Sequence, residues 1–238
     1  MAVFRPLRRL RVARRAAVSS SALRPSLAAT TTRLQSPRSE DDLMPGTTLW
    51  LFRPAETAWD AEQRLRGSTD LPAIEESLAE LRQRVARLGD GPEYLYHPAD
   101  EAAIESARIV ASRFACQVRA HRDLADPDFG LLEGLSLSEF ERRFESRYAE
   151  WVASPLTVIP PEGEPLADAR ARILDALAEI FDRHPGKRIG IVLHVTALGI
   201  VRDALARGDG SRLWERVEGR TWCTQYALPS DAALLLGD

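Results

Sequence analysis

Three segments of this chain place chemically useful side chains directly after short apolar runs. Arg53 follows TTLWLF (47–52) and opens the triplet Arg53-Pro54-Ala55, His97 ends EYLYH (93–97), and His194 ends IGIVLH (189–194). Apolar runs of this length, bounded by turn residues, read as buried strands. In sheets built from such strands, ligands sit beyond the carboxyl ends. A guanidinium and two imidazoles converging on one sheet edge strengthen the reading of a site there. Each residue also has a plainer reading: Arg53 as a surface guanidinium, His194 as a structural histidine.

The elements that must position these groups alternate along the chain. Ile74–Leu88 carries apolar residues at helical spacing and is closed by Gly89-Asp90-Gly91-Pro92. Glu101–Phe114, Ser136–Trp151, Ala167–His184 and Thr196–Arg207 read as further helices. Ser136 with Glu139 three residues on forms a capping box, and Pro185-Gly186 stops the long fourth helix. Gln117–His121 and Thr221–Leu228 read as additional strands. This alternation predicts an α/β fold of three layers, α/β/α, around a largely parallel central sheet. No repeat and no linker divides residues 44–238, which are expected to form one domain.

The stretch Arg53–Pro72 reads R-x-x-E-T-x-W-D-x-x-x-R-L-x-G-x-T-D-L-P. Many residue types at fixed spacing agree with the opening motif of the phosphoglycerate mutase-like, or histidine phosphatase, superfamily, which the chain resembles. Weaker similarity continues through Ile104–Arg108, the acid-bearing stretch LADPDFGLLEG (124–134) and GIVLH (190–194). The resemblance implies a phosphoryl-transfer site in which one histidine attacks phosphorus. Two arginines and a second histidine hold the oxygens, and a carboxylic acid protonates the leaving group. On this reading Arg53 is the first phosphate-binding arginine, His194 the second histidine and Asp126 the acid.

The same comparison exposes the departures. Pro54 stands where the nucleophilic histidine belongs, and Ala55 replaces a glycine. Asp60 replaces a phosphate-contacting asparagine, exchanging an amide donor for an anion that repels phosphate. Ala102 takes the place of the second arginine, and no arginine occurs between Tyr94 and Ser106. Val195-Thr196 follow His194 in place of a small, Gly-rich turn. Asp126 is one methylene shorter than the usual glutamate and has a second reading as a solvated turn carboxylate. The expectation is a catalytically impaired pseudoenzyme acting as a binding or regulatory module. The alternative is a phosphatase for a small phosphoester with a non-standard site using Arg53, Asp126 and His194, by direct water attack or with His97 as nucleophile. A structural or assembly role is a third possibility, without a specific sequence feature.

Composition narrows the partners. Residues 1–39 hold nine arginines and no acid, whereas the chain from Leu43 onward is net −9. A domain that acidic is a poor match for nucleic acid, and no apolar run nears the roughly 20 residues that span a bilayer. The basic leader, residues 1–43, is expected to be disordered: a mitochondrial or plastid transit peptide, an over-extended start with Met44 as the true one, or a basic arm. The location would be cytoplasmic with a Met44 start and organellar with a transit peptide. His97, His121, His184 and His194 are scattered, with His121 and His184 read as exposed or terminal, so no metal is expected. Gly186-Lys187 lacks the rest of a phosphate-binding loop, and Cys116 and Cys223 form no paired motif. No cofactor is implied. A small phosphorylated ligand or a protein partner remains.

Overall fold

Along the first strand, β1 (Thr47–Phe52), Leu49 and Leu51 pack into one apolar cluster while Trp50 and Phe52 pack into another. Alternate side chains of a strand point to opposite faces, so β1 is covered on both sides, which is the condition for a central parallel strand. The computed structural model describes residues 46–217 and 221–229. The leader expected for residues 1–43 lies outside them.

After β1 come α1 (Ala58–Ala61), α2 (Glu75–Ala86), β2 (Tyr94–His97), α3 (Glu101–Phe114) and β3 (Gln117–Ala120). Next are α4 (Leu137–Arg143), α5 (Glu145–Ala153), α6 (Leu166–Arg183), β4 (Arg188–Val192), α7 (Val195–Leu205), α8 (Leu213–Val217) and β5 (Cys223–Leu228). The five strands lie in the order β3-β2-β4-β1-β5. β1, β2, β3 and β4 run parallel, and β5 pairs antiparallel with β1. The sheet is therefore largely parallel, as expected, with one reversed edge. Residues of α2 and α3 pack with Trp50, Phe52, Leu95 and Val192 on one face, and α6 and α7 with Leu49, Leu51, Ile189 and Ile191 on the other.

Gly190 allows this close layering. A Cβ there would lie 2.8 Å from Leu95 Cδ1 and from Pro92 Cγ, so a side chain at this position would have to displace one or both.

Two expectations need correction. Ser136–Trp151 is not one helix: Ser136 makes the capping box with Glu139, but the chain breaks at Phe144 (φ −137°, ψ 48°) and restarts as α5. The apolar spacing runs through the break because Phe140 and Trp151 enter the same third cluster, with Phe129, Leu132, Val158 and Leu166. His184, read as exposed or terminal, ends α6 as its C-cap but is not exposed. It is buried, stacked on Tyr94 at 3.8 Å between ring centroids, with Nε2 hydrogen-bonded to the Tyr96 hydroxyl at 2.9 Å.

Candidate functional site

The register of β1 and β4 sets Phe52 against Val192, and Leu193 N donates to the Phe52 carbonyl at 2.9 Å. The residues that follow these two strands are thereby brought side by side. The helices after them depart to opposite faces, α2 to one and α7 to the other, which leaves a crevice at the strand ends. A small cavity opens there, lined by Arg53, Pro54, Ala55, Glu56, Asp60, His194 and Val195. Its volume is about 10 Å³, room for about one water.

Arg53 enters this cavity from a backbone anchored on both sides of β1, its N–H donating to the Trp222 carbonyl at 2.7 Å. Among the described residues its guanidinium makes no hydrogen bond. Pro54 presents a ring whose nitrogen is locked in a peptide bond, with neither a proton nor a nucleophilic lone pair. Ala55 is 3% exposed and belongs to the apolar cluster, and its N–H donates to Ser106 Oγ at 2.8 Å. Its Cβ is thus spent on packing against α3.

Asp60 lines the cavity, but its carboxylate has local work. Oδ2 accepts from Thr57 N at 2.9 Å and from Thr57 Oγ1 at 2.8 Å, and the Thr57 hydroxyl caps α1 in return. Ala102 lies fully buried on α3 and puts no polar group into the site.

His194 caps α7 and is only 2% exposed. Its Nε2 donates to Asp100 Oδ1 at 2.7 Å. The same Asp100 oxygen accepts from Ala103 N at 3.1 Å, so one carboxylate both caps α3 and holds the histidine. Burial pushes the Asp100 carboxyl up. The His194 hydrogen bond and charge, with Arg66 and the Ala103 N–H, outweigh this and hold it at about 2. Asp70 Oδ1 accepts from Glu101 N at 2.8 Å, so two carboxylates occupy the first turn of α3.

Asp126 meets the helix that His194 begins. It is buried, and its Oδ1 accepts from Ala197 N in the first turn of α7 at 2.7 Å. Burial raises its carboxyl above the ordinary carboxylate range, against the pull of Arg66, His194 and that N–H. Arg66 is itself buried, facing these two acids, with Nη1 donating to the Thr69 carbonyl at 2.9 Å.

The structure thus gathers Arg53, Pro54, Ala55, Asp60 and His194 around one cavity and joins Asp126 to it through the start of α7. The reading of Asp126 as a solvated turn carboxylate is excluded by its burial. His97 ends β2 on the same sheet edge but does not line the cavity, and its Nδ1 donates to the Pro98 carbonyl at 2.7 Å. Two residues of the site were not read from the sequence in these roles: Asp100 and Arg66. Asp100 before an apolar-periodic run is a cap signal, but that signal carries no hint of a histidine 94 residues away. Among the described residues no group of three His, Cys, Asp or Glu side chains is placed to hold a metal ion, and no helix is long and apolar enough to cross a membrane.

Comparison with known proteins places this architecture. The profile described as "Histidine phosphatase superfamily (branch 1)" matches residues 49–226. Phosphoglycerate mutase-like protein 4 of Arabidopsis thaliana is 30% identical over 166 residues, 68% of this chain and 70% of that protein. The metal-independent phosphoserine phosphatase of the same plant is 29% identical over 152 residues, 62% of this chain and 64% of its own. Among solved structures, YhfR of Bacillus stearothermophilus superposes with a TM-score of 0.62 at 27% identity, covering 71% of this chain and 84% of its own. A mycobacterial glucosyl-3-phosphoglycerate phosphatase shares the fold, with a TM-score of 0.66 at 17% identity over 78% of this chain and 94% of its own.

Proposed function

The chain belongs to the histidine phosphatase superfamily, and from that premise we propose that it is a catalytically impaired member serving as a binding or regulatory module. One observation carries this reading. Pro54 lines the cavity between Arg53 and His194, at the position where the family resemblance calls for the nucleophile. A proline nitrogen inside the chain cannot attack phosphorus. Removal of a catalytic nucleophile costs several orders of magnitude in rate. Mutase chemistry is the least compatible activity, since a mutase carries the phosphoryl group on its histidine between two half-reactions. The buried Ala102 and the committed Asp60 compound the loss, because neither supplies a donor to a phosphate oxygen.

A second reading is favoured by Asp126. A buried carboxyl raised above its ordinary range by burial, near a histidine and an arginine, has the character a general acid requires. In this reading Arg53 and His194 hold a small phosphoester, Asp126 protonates the leaving oxygen, and water attacks directly. The two readings separate in one assay: the full chain on a broad panel of phosphoesters, beside His194→Gln, which keeps a donor toward Asp100. The impaired-enzyme reading expects equal background rates in both proteins. Turnover that disappears in His194→Gln would establish the phosphatase instead.

A further inference from the structure

Apart from Arg53, the groups that would hold an oxyanion at this site already have anionic partners from within the chain. His194 Nε2 meets Asp100 Oδ1 at 2.7 Å, with the two side chains 3% and 13% exposed. The first turn of α3 gives Glu101 N to Asp70 and Ala103 N to Asp100, and the first turn of α7 gives Ala197 N to Asp126. Helix N-termini and imidazolium groups are the usual anchors of a bound phosphate. Here each is met by a carboxylate or carboxyl of the protein.

From this arrangement we infer that Asp100 is the specificity-determining residue of the site, a built-in anion that occupies the His194 imidazole and turns phosphate-bearing ligands away. The inference rests on the impaired-enzyme reading of the same site. Three observations converge on it. The cavity left between Arg53 and His194 has a volume of about 10 Å³, about one water. Position 102 holds a buried alanine, so no cation there offsets the Asp100 charge toward an incoming anion. Two of the other residues lining the cavity, Asp60 and Glu56, are acids, so they add no cation for a dianion beside His194. Asp100 is well held in this role, since capping α3 fixes its backbone and Arg66 faces its charge. The ligand of the unaltered site accordingly carries no phosphate dianion.

Asp100→Ser tests this, because serine keeps the cap on α3 while removing both the charge and the bulk. Orthovanadate and inorganic phosphate are titrated calorimetrically into the full chain, Asp100→Ser, Asp100→Asn and the double variant Asp100→Ser/His194→Ala. The expected result is no saturable binding to the unaltered protein. Asp100→Ser should bind about tenfold or more tighter, and the double variant should lose that gain. Saturable phosphate binding by the unaltered chain, without turnover, would overturn the role of Asp100 and leave the functional reading intact. His194-dependent turnover by the unaltered chain would instead overturn the functional reading. A folded Asp100→Ser with no gain would also overturn the inference. If that variant does not melt cooperatively, Asp100→Asn is read in its place, with the same gain expected from charge removal alone. Failure of both to fold, although serine and asparagine each keep the cap, would make the Asp100 charge a requirement of the fold and overturn the inference.

Discussion

Two histidines are buried at opposite ends of the sheet, and their partners differ in kind. His184, at the amino end, lies between Tyr94 and Tyr96 and shares a hydrogen bond with a neutral hydroxyl. His194, at the carboxyl end, is held by the Asp100 carboxylate. Burial lowers the His184 imidazole below its ordinary value, and Arg119, Arg183 and Lys187 push the same way. Everything around His184 disfavours charge, whereas everything around His194 brings charges together. A histidine packed by neutral rings stabilises a fold; one tied into buried acids and an arginine marks a site, because such a cluster is hard to justify by stability alone.

The contrast is broken most directly by truncating each histidine. His194→Ala leaves Asp100 buried without its main partner, and removing one member of a buried pair costs about 3 kcal/mol or more. His184→Phe keeps the ring stack and strands only the Tyr96 hydroxyl, at about 1 kcal/mol. Urea unfolding at neutral pH of both variants should rank them in that order, and equal losses would erase the distinction.

Acid titration sharpens it. The Asp100 carboxyl is depressed to about 2 in the fold from its ordinary 3.8. Its stabilisation is therefore present above the unfolded value and lost as pH falls through the folded one. That difference is worth about 2 kcal/mol, and Asp100→Asn should flatten the urea midpoint across this acid window. His184 is also depressed, so its contribution is present above its unfolded value near 6.5 and is lost as pH falls through the lower folded value. His184→Phe should remove the slope below 6.5 and leave the acid limb unchanged.

The smallest effect has the opposite sign. The Asp126 carboxyl is raised in the fold, so the stabilisation linked to its proton is present below the unfolded value and lost as pH rises through the folded one. Asp126→Asn keeps an oxygen for Ala197 N and removes the ionisation. It should leave stability at neutral pH unchanged or higher by up to about 1 kcal/mol, as thermal melts would show. A clear loss would mean that the carboxylate form is the one the fold prefers.

Much of the scaffold was legible because apolar periodicity and turn chemistry are local. The bounds of α3, Glu101–Phe114, match the spacing read from the sequence, and β1 and β4 were visible as short apolar runs. The reversed direction of β5 was not, since alternation along the chain says nothing about how a last strand enters a sheet. The break at Phe144 was hidden by side chains that return to one cluster on both sides of it. At the site, Arg53, Pro54, Ala55 and His194 were legible from strand ends and motif spacing. The pairing of Asp100 with His194 was not, because it depends on β2 and β4 lying side by side. Asp60 was read as a charge aimed at the ligand, and the structure shows its carboxylate engaged by Thr57.

The pairing of Phe52 with Val192 also sets an order of events during synthesis. β1 leaves the ribosome long before β4, and until β4 arrives its parallel neighbour does not exist. Non-local parallel pairings of this kind form slowly and leave apolar strands open to wrong partners. Leu49 and Leu51 therefore wait, uncovered by α6 and α7, for most of translation. A nascent chain stopped before Arg188 has Arg53 but neither its strand neighbour nor His194, so the site can be assembled only after residue 194 has been made.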